Sequence, residues 1–127
     1  MNQETLRDYC LSLAGVTEEL PFGPDILVFK VMGKVFLLTP LDGASFTFNV
    51  KCDPEIAEDL RSRYDDVLPG FHMNKKHWNT VRVNGSIPSD LLFSFVKDSY
   101  DLVAKSLIKS LKQDLEDMKG LQRIEEQ

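Results

Sequence analysis

The sequence predicts an α+β domain in which an antiparallel sheet is flanked by helices at both ends of the chain. Three observations predict it. Apolar residues recur at helical spacing near the N-terminus and again from residue 91 onward. Between them lie short runs of β-branched and aromatic residues, and glycines or Pro-Gly and Asn-Gly pairs separate the runs.

Each element follows from its own residues. Leu6, Tyr9, Cys10 and Leu13 fall at i, i+3, i+4 and i+7, which lines one face of a helix over residues 2–13, and Gly15 ends it. LVFKVM, KVFLLT and SFTFNV then read as an antiparallel meander, with turns near Gly33 and at Leu41 to Ala44. Asp53 before Pro54 places a capping carboxylate ahead of a proline suited to a first helical turn, so a second helix runs to about Tyr64. Pro69-Gly70 makes a loop, a strand covers about His77 to Val83, and Asn84-Gly85 turns the chain toward a last helix starting near Pro88. Leu91, Leu92, Phe95, Val96, Ser99, Leu102, Val103, Ile108 and Leu111 form its apolar stripe. Continued to Met118, this helix would measure about 45 Å and overhang so small a sheet, leaving its end to pair with another copy or to fray.

A chain of 127 residues with 43% hydrophobic content fills one core. The expected division is a single domain over 1–110 and an acidic helical extension or frayed tail over 111–127. The first ten residues lack a basic segment followed by an apolar one, and no window approaches the ~18 apolar residues of a membrane span. A cytoplasmic protein without membrane contact is expected, a monomer or weak homodimer, with Cys10 and Cys52 reduced.

Enzyme chemistry finds little to stand on. Cys10 sits on the apolar helix face as a small hydrophobe. Cys52 precedes a helix N-terminus, which can lower a thiol pKa, and is the one candidate nucleophile; the two histidines, His72 and His77, supply no oriented partner. Those histidines also lack metal-site spacing. Glu55, Glu58 and Asp59 alternate with Ile56, Ala57 and Leu60 as a solvated helix face would, and no phosphate-binding glycine loop is present. The expectation is a non-enzymatic protein without a cofactor or metal.

Charge is uneven. The net charge is −5, yet residues 67–87 hold Lys75, Lys76 and Arg82 with no acid, and residues 26–52 set Lys30, Lys34 and Lys51 against Asp42. Strand parity sharpens this. With Phe48, Val50, Val81 and Phe29 inward, Lys30, Thr47, Asn49, Lys51, Trp78, Thr80 and Arg82 face outward. An aromatic among cations can stack a base and neutralise phosphates, as sequence-tolerant single-strand binders do. The competing reading has Trp78 folding over the sheet to shield it, with lysines keeping a β surface soluble.

The segments LRDYCLSLAGV, ELPFGPD, VFKVMGKVF, KCDPE, RYDDVLPGFHMNKKHWNTV and SYDLV, in that order, resemble the MmcQ/YjbR family of small bacterial proteins over about residues 2–108. The resemblance implies a fold similar to the bacterial frataxin homologue CyaY, a curved antiparallel sheet flanked by N- and C-terminal helices, and DNA binding through a double-wing motif. Its polar strings fall on His72, Asn74, Lys75, Lys76, His77, Trp78 and Asn79, with Lys51 from KCDPE. The acidic stretch after Ile108 departs from the pattern. Two other readings remain: a protein-interaction module centred on Trp78, and a frataxin-like iron handler using Glu4, Asp8 and the acids of 53–59.

Overall fold

The computed structural model describes residues 1–71 and 73–126. The described elements run α1 (Gln3–Ser12), β1 (Val16–Glu19), β2 (Ile26–Val31), β3 (Lys34–Pro40), β4 (Thr47–Lys51), α2 (Pro54–Arg63), β5 (Val67–Pro69), β6 (Trp78–Arg82), α3 (Ser89–Lys105) and α4 (Lys109–Glu125). The strands form one six-stranded antiparallel sheet in the order β1-β2-β3-β4-β6-β5. The α+β class, the meander and the two inner helix starts agree with the sequence. Asn2 and Thr5 cap α1 reciprocally, and the Asp53 carboxylate accepts from the Glu55 N–H at the head of α2.

Two strands were not foreseen. β1 is four residues of mixed polarity, VTEE, and β5 is three residues ending in the proline expected to start a loop. Both lie at the sheet's edges, where short and charged strands are usual.

One face of the sheet carries the helices. Leu6 and Cys10 of α1 and Leu92, Phe95, Val96, Tyr100 and Val103 of α3 join Phe29, Val31, Leu37, Phe48, Val50 and Val81 in one buried cluster. The hairpin between β2 and β3 turns at Met32 and Gly33, both left-handed at φ 49° and 88°. Just beyond it the register shifts, so that Phe29 faces Leu37 while Lys30 faces Val35. Phe36 is therefore the extra residue of a β-bulge, and its ring turns edge-on to Tyr100 at 5.5 Å.

The last helix departs from expectation. It breaks after Lys105, and α4 turns back instead of overhanging. At the break the Ser106 hydroxyl donates to the Val103 carbonyl, Leu107 is buried, and the Lys34 ammonium donates to the Ser106 carbonyl at 3.2 Å. Leu115 then enters the main cluster at 2% exposure, and a Cβ built on Gly15 would lie 2.9 Å from its Cδ1. The Gln122 amide reaches the Ser12 carbonyl, and the Lys119 ammonium lies 5.8 Å from the Tyr100 ring centre. The stripe at Leu111 and Leu115 thus finds its partner within the same chain. No described helix is long and apolar enough to cross a membrane.

Candidate nucleic-acid interface

The second face of the sheet is less open than strand alternation alone suggests. Val28, which alternation puts there, is 0% exposed, and Asn49 and Thr80 keep only 9% and 1%. Two loops cover this face. The segment before β2 brings Phe22, and the segment after β5 brings Phe71 and Met73, around a groove of about 380 Å³. Ile26, Leu38 and Pro40 extend its apolar lining, while Thr47, Asn49 and Thr80 give it a polar floor. Phe22 and Phe71 are 68% and 58% exposed, so the groove is walled by aromatic rings that solvent still reaches.

A hydrogen-bond chain fixes the floor. The Phe71 N–H donates to the Thr80 hydroxyl at 3.1 Å, and that hydroxyl donates to Asn49 Oδ1 at 2.5 Å. The Asn49 amide is thereby oriented with its nitrogen toward β3, where Nδ2 reaches the Leu38 carbonyl at 3.5 Å. One wall and the floor are therefore coupled through Thr80.

The foreseen site residues separate into groups. Lys51 and Trp78 are cross-strand partners at one end of the face. Asn74 shapes the loop that leads to them: its carbonyl accepts from the His77 and Trp78 N–H groups at 3.2 and 3.0 Å, and its side chain accepts from the Lys76 N–H. The half-buried His77 accepts from the Cys52 N–H through its carbonyl. Lys75 and Lys76 are exposed. Among the described residues no carboxylate lies within 4.0 Å of the Lys51, Lys75 or Lys76 ammonium. His72 lies outside the described residues.

Three expected members stand apart. Lys30 pairs with Glu19 at 2.6 Å, three strands from β6, a separation of about 14 Å at ~4.8 Å per strand. Arg82, at the far end of β6, pairs with Asp66 at 3.0 Å and donates to the Asp65 carbonyl. Asn79 shares the parity of Val81 and so faces the helices, where its Oδ1 accepts from Arg61 Nε at 2.7 Å. The expected ring of five cations around Trp78 therefore reduces to three lysines at one end.

Arg61 of α2 anchors the basic loop from behind. Its guanidinium donates to the carbonyls of Lys75 and Trp78 as well as to Asn79. Gly70 lets the preceding turn approach: its N–H donates to the Trp78 carbonyl at 2.8 Å, and a Cβ there would meet the Trp78 Cβ at 2.9 Å. Composition around the missed wall residues carried a signal, since Pro21-Phe22-Gly23 and Gly70-Phe71 set aromatics among turn formers. Alternation arguments address strands only and pass over them.

A smaller cleft of about 180 Å³ lies between α2, α3 and the inner sheet face, lined by Ile56, Leu60, Leu91 and Phe95 and edged by Cys52 and Asp98. The helix N-terminus does not activate Cys52: burial, with Asp53 and Asp98 nearby, pushes its thiol up to about 11. Burial alone pushes Cys10 to about 12. Among the described residues no three His, Cys, Asp or Glu side chains are grouped to hold a metal ion.

A family model described as YjbR matches residues 11–102. The chain is 40% identical to YbdF of Escherichia coli O157:H7 over 107 residues, covering 84% of this chain and 87% of that protein. It is 31% identical to YjbR of Escherichia coli K12, over 79% and 85% of the two chains. Among solved structures, protein DR2400 of Deinococcus radiodurans, with its DUF419 domain, superposes with a TM-score of 0.82 at 36% identity over 88% and 86% of the chains. A Pseudomonas syringae protein does so at 0.71 and 28% identity, over 80% and 98%. With the matched segment running from α1 through most of α3 and the sheet shared with these structures, the chain belongs to the YjbR family of small bacterial proteins.

Proposed function

We propose that this protein is a non-enzymatic nucleic-acid-binding module that takes single strands across the second face of its sheet. The observation that carries the reading is a groove walled by exposed Phe22 and Phe71, with Lys51 two residues along β4 from the floor residue Asn49 and Lys75 and Lys76 in the loop that follows the wall residue Met73, none of these lysines paired with a carboxylate among the described residues. Rings of this kind stack bases at about 1–3 kcal/mol each, and free ammonium groups neutralise phosphates. The net charge of −5 keeps long-range attraction small, so binding is weak and local.

Titration with short single-stranded oligonucleotides at low salt, followed by backbone NMR, tests this. Shifts are expected at residues 22, 47–51 and 71–80. With three lysines engaged, log K should fall against log salt with a slope of about −2, at ~0.7 per phosphate on a single strand. The double substitution Lys75→Gln, Lys76→Gln should weaken binding to every sequence and flatten that slope. No shifts on this face would discard the reading. The apolar Ile26, Leu38, Pro40 and Met73 favour a second one, a hydrophobic peptide in the same groove, whose affinity would change little with salt.

A further inference from the structure

We infer that the groove takes one base at a time and selects for a keto group on the edge remote from the sugar, as in thymine, uracil or guanine. The inference rests on the single-strand reading above and adds a chemical preference to it. The floor supplies that preference. Thr80 Oγ1 accepts from the Phe71 N–H, so its own proton goes to Asn49 Oδ1 at 2.5 Å. That bond takes one of the amide oxygen's two lone pairs and turns the nitrogen away from Thr80, toward β3. The nitrogen has two protons, and among the described residues its one acceptor is the Leu38 carbonyl, at 3.5 Å. The Asn49 amide thus offers the groove a donor, with its carbonyl already engaged.

Lys51 leaves the same face two residues further along β4, about 7 Å away. A phosphate held by Lys51, Lys75 and Lys76 puts the sugar at that end and the far edge of its base over Asn49, with Phe71 and Phe22 available to the ring faces. The groove, about 380 Å³, falls at the low end of the ~300–1,000 Å³ of pockets that enclose small organic groups. A 4-keto oxygen accepts from Asn49 Nδ2. A 4-amino group would set donor against donor at a floor where Asn49 keeps only 9% exposure, and neither donor would gain a partner there.

Thymidine and cytidine oligomers of equal length test this, because the far edge of a pyrimidine presents a keto oxygen in one and an amine in the other. Fluorescence anisotropy should show the thymidine oligomer binding about tenfold tighter. In Asn49→Leu the two affinities should converge, with the thymidine oligomer losing most. If that variant fails to fold, the ratio measured on the unaltered protein decides alone. Equal binding of both oligomers, still sensitive to Lys75 and Lys76, would overturn the keto selection and leave the single-strand reading in place. Absence of binding by either would remove both.

Discussion

The Ser99 hydroxyl donates to the Phe36 carbonyl across 2.6 Å, at the point where the pairing of β3 with β4 stops beyond Leu37 and Val50. The same oxygen accepts from the Lys51 N–H at 2.8 Å. A helix side chain thus replaces a missing ladder rung, and the strand carrying Lys51 and Asn49 is registered by α3 at a point where its neighbour cannot register it.

Ser99→Ala should therefore lower stability by about 1–3 kcal/mol, since it strands a buried carbonyl and a buried N–H together. Chemical denaturation measures this. A loss below a few tenths of a kcal/mol would mean that a water or a local shift repairs the rung.

Arg61 is the second anchor. Arg61→Met keeps the aliphatic stem but removes the donors to the Lys75 and Trp78 carbonyls and to Asn79 Oδ1. Faster amide exchange is expected at residues 74–78, with a stability loss of about 1–3 kcal/mol from the unpaired Asn79. Unchanged exchange there would show that the Asn74 turn holds the loop unaided.

Acid should act through Asp66. Ser86 and Asn84 donate to its carboxylate and Arg82 faces it, so its pKa is lowered from the usual carboxylate value. A lowered folded-state pKa means that the contribution is present above the unfolded value of about 3.9 and is lost as pH falls through the folded one. Melting temperatures should drop below about pH 4 more steeply in the unaltered protein than in Asp66→Asn. Parallel acid curves would assign the acid sensitivity to other carboxylates.

Truncation after Ile108 and the single change Leu115→Ala should both destabilise the body of the fold, the latter by about 2–4 kcal/mol through the cavity left beside Gly15 and Met32. A truncated chain with an unchanged melting temperature would show α4 to be dispensable.

Both thiols should resist alkylation. With the Cys52 thiol near 11, about one molecule in a thousand is thiolate at pH 8, and Cys10 is buried besides. Mass spectrometry after mild iodoacetamide treatment should find both cysteines unmodified in the native protein and both modified in denaturant.

Much of this architecture was legible because periodicity and caps are local signals. The helix heads at Asn2 and Asp53 and the strands from Leu27 to Val50 are written in adjacent residues. The break at Ser106 is not: no proline or glycine marks it, and what ends α3 there includes Lys34, distant in sequence. The site was half legible. Parity put Lys51, Trp78, Asn49 and Thr80 on one face, yet whether Lys30 and Arg82 stay free depends on Glu19 and Asp66, carboxylates that only the sheet's pairing brings near. Phe22 and Phe71 reach the groove from loops, where no repeat predicts direction.

The Tyr100 hydroxyl donates to the Ala14 carbonyl across 86 residues of sequence, and Leu115 closes over Gly15 beyond it. Time therefore enters the fold. Chain order makes α1 before the sheet and the sheet before α3 and α4, so the part of its cover that these helices supply reaches Leu6 and Cys10 only after every strand has been made. Contacts this remote also slow folding once the chain is complete. The interval between making the first helix and covering it is when this protein is most open to chaperones, proteases and its own nascent copies.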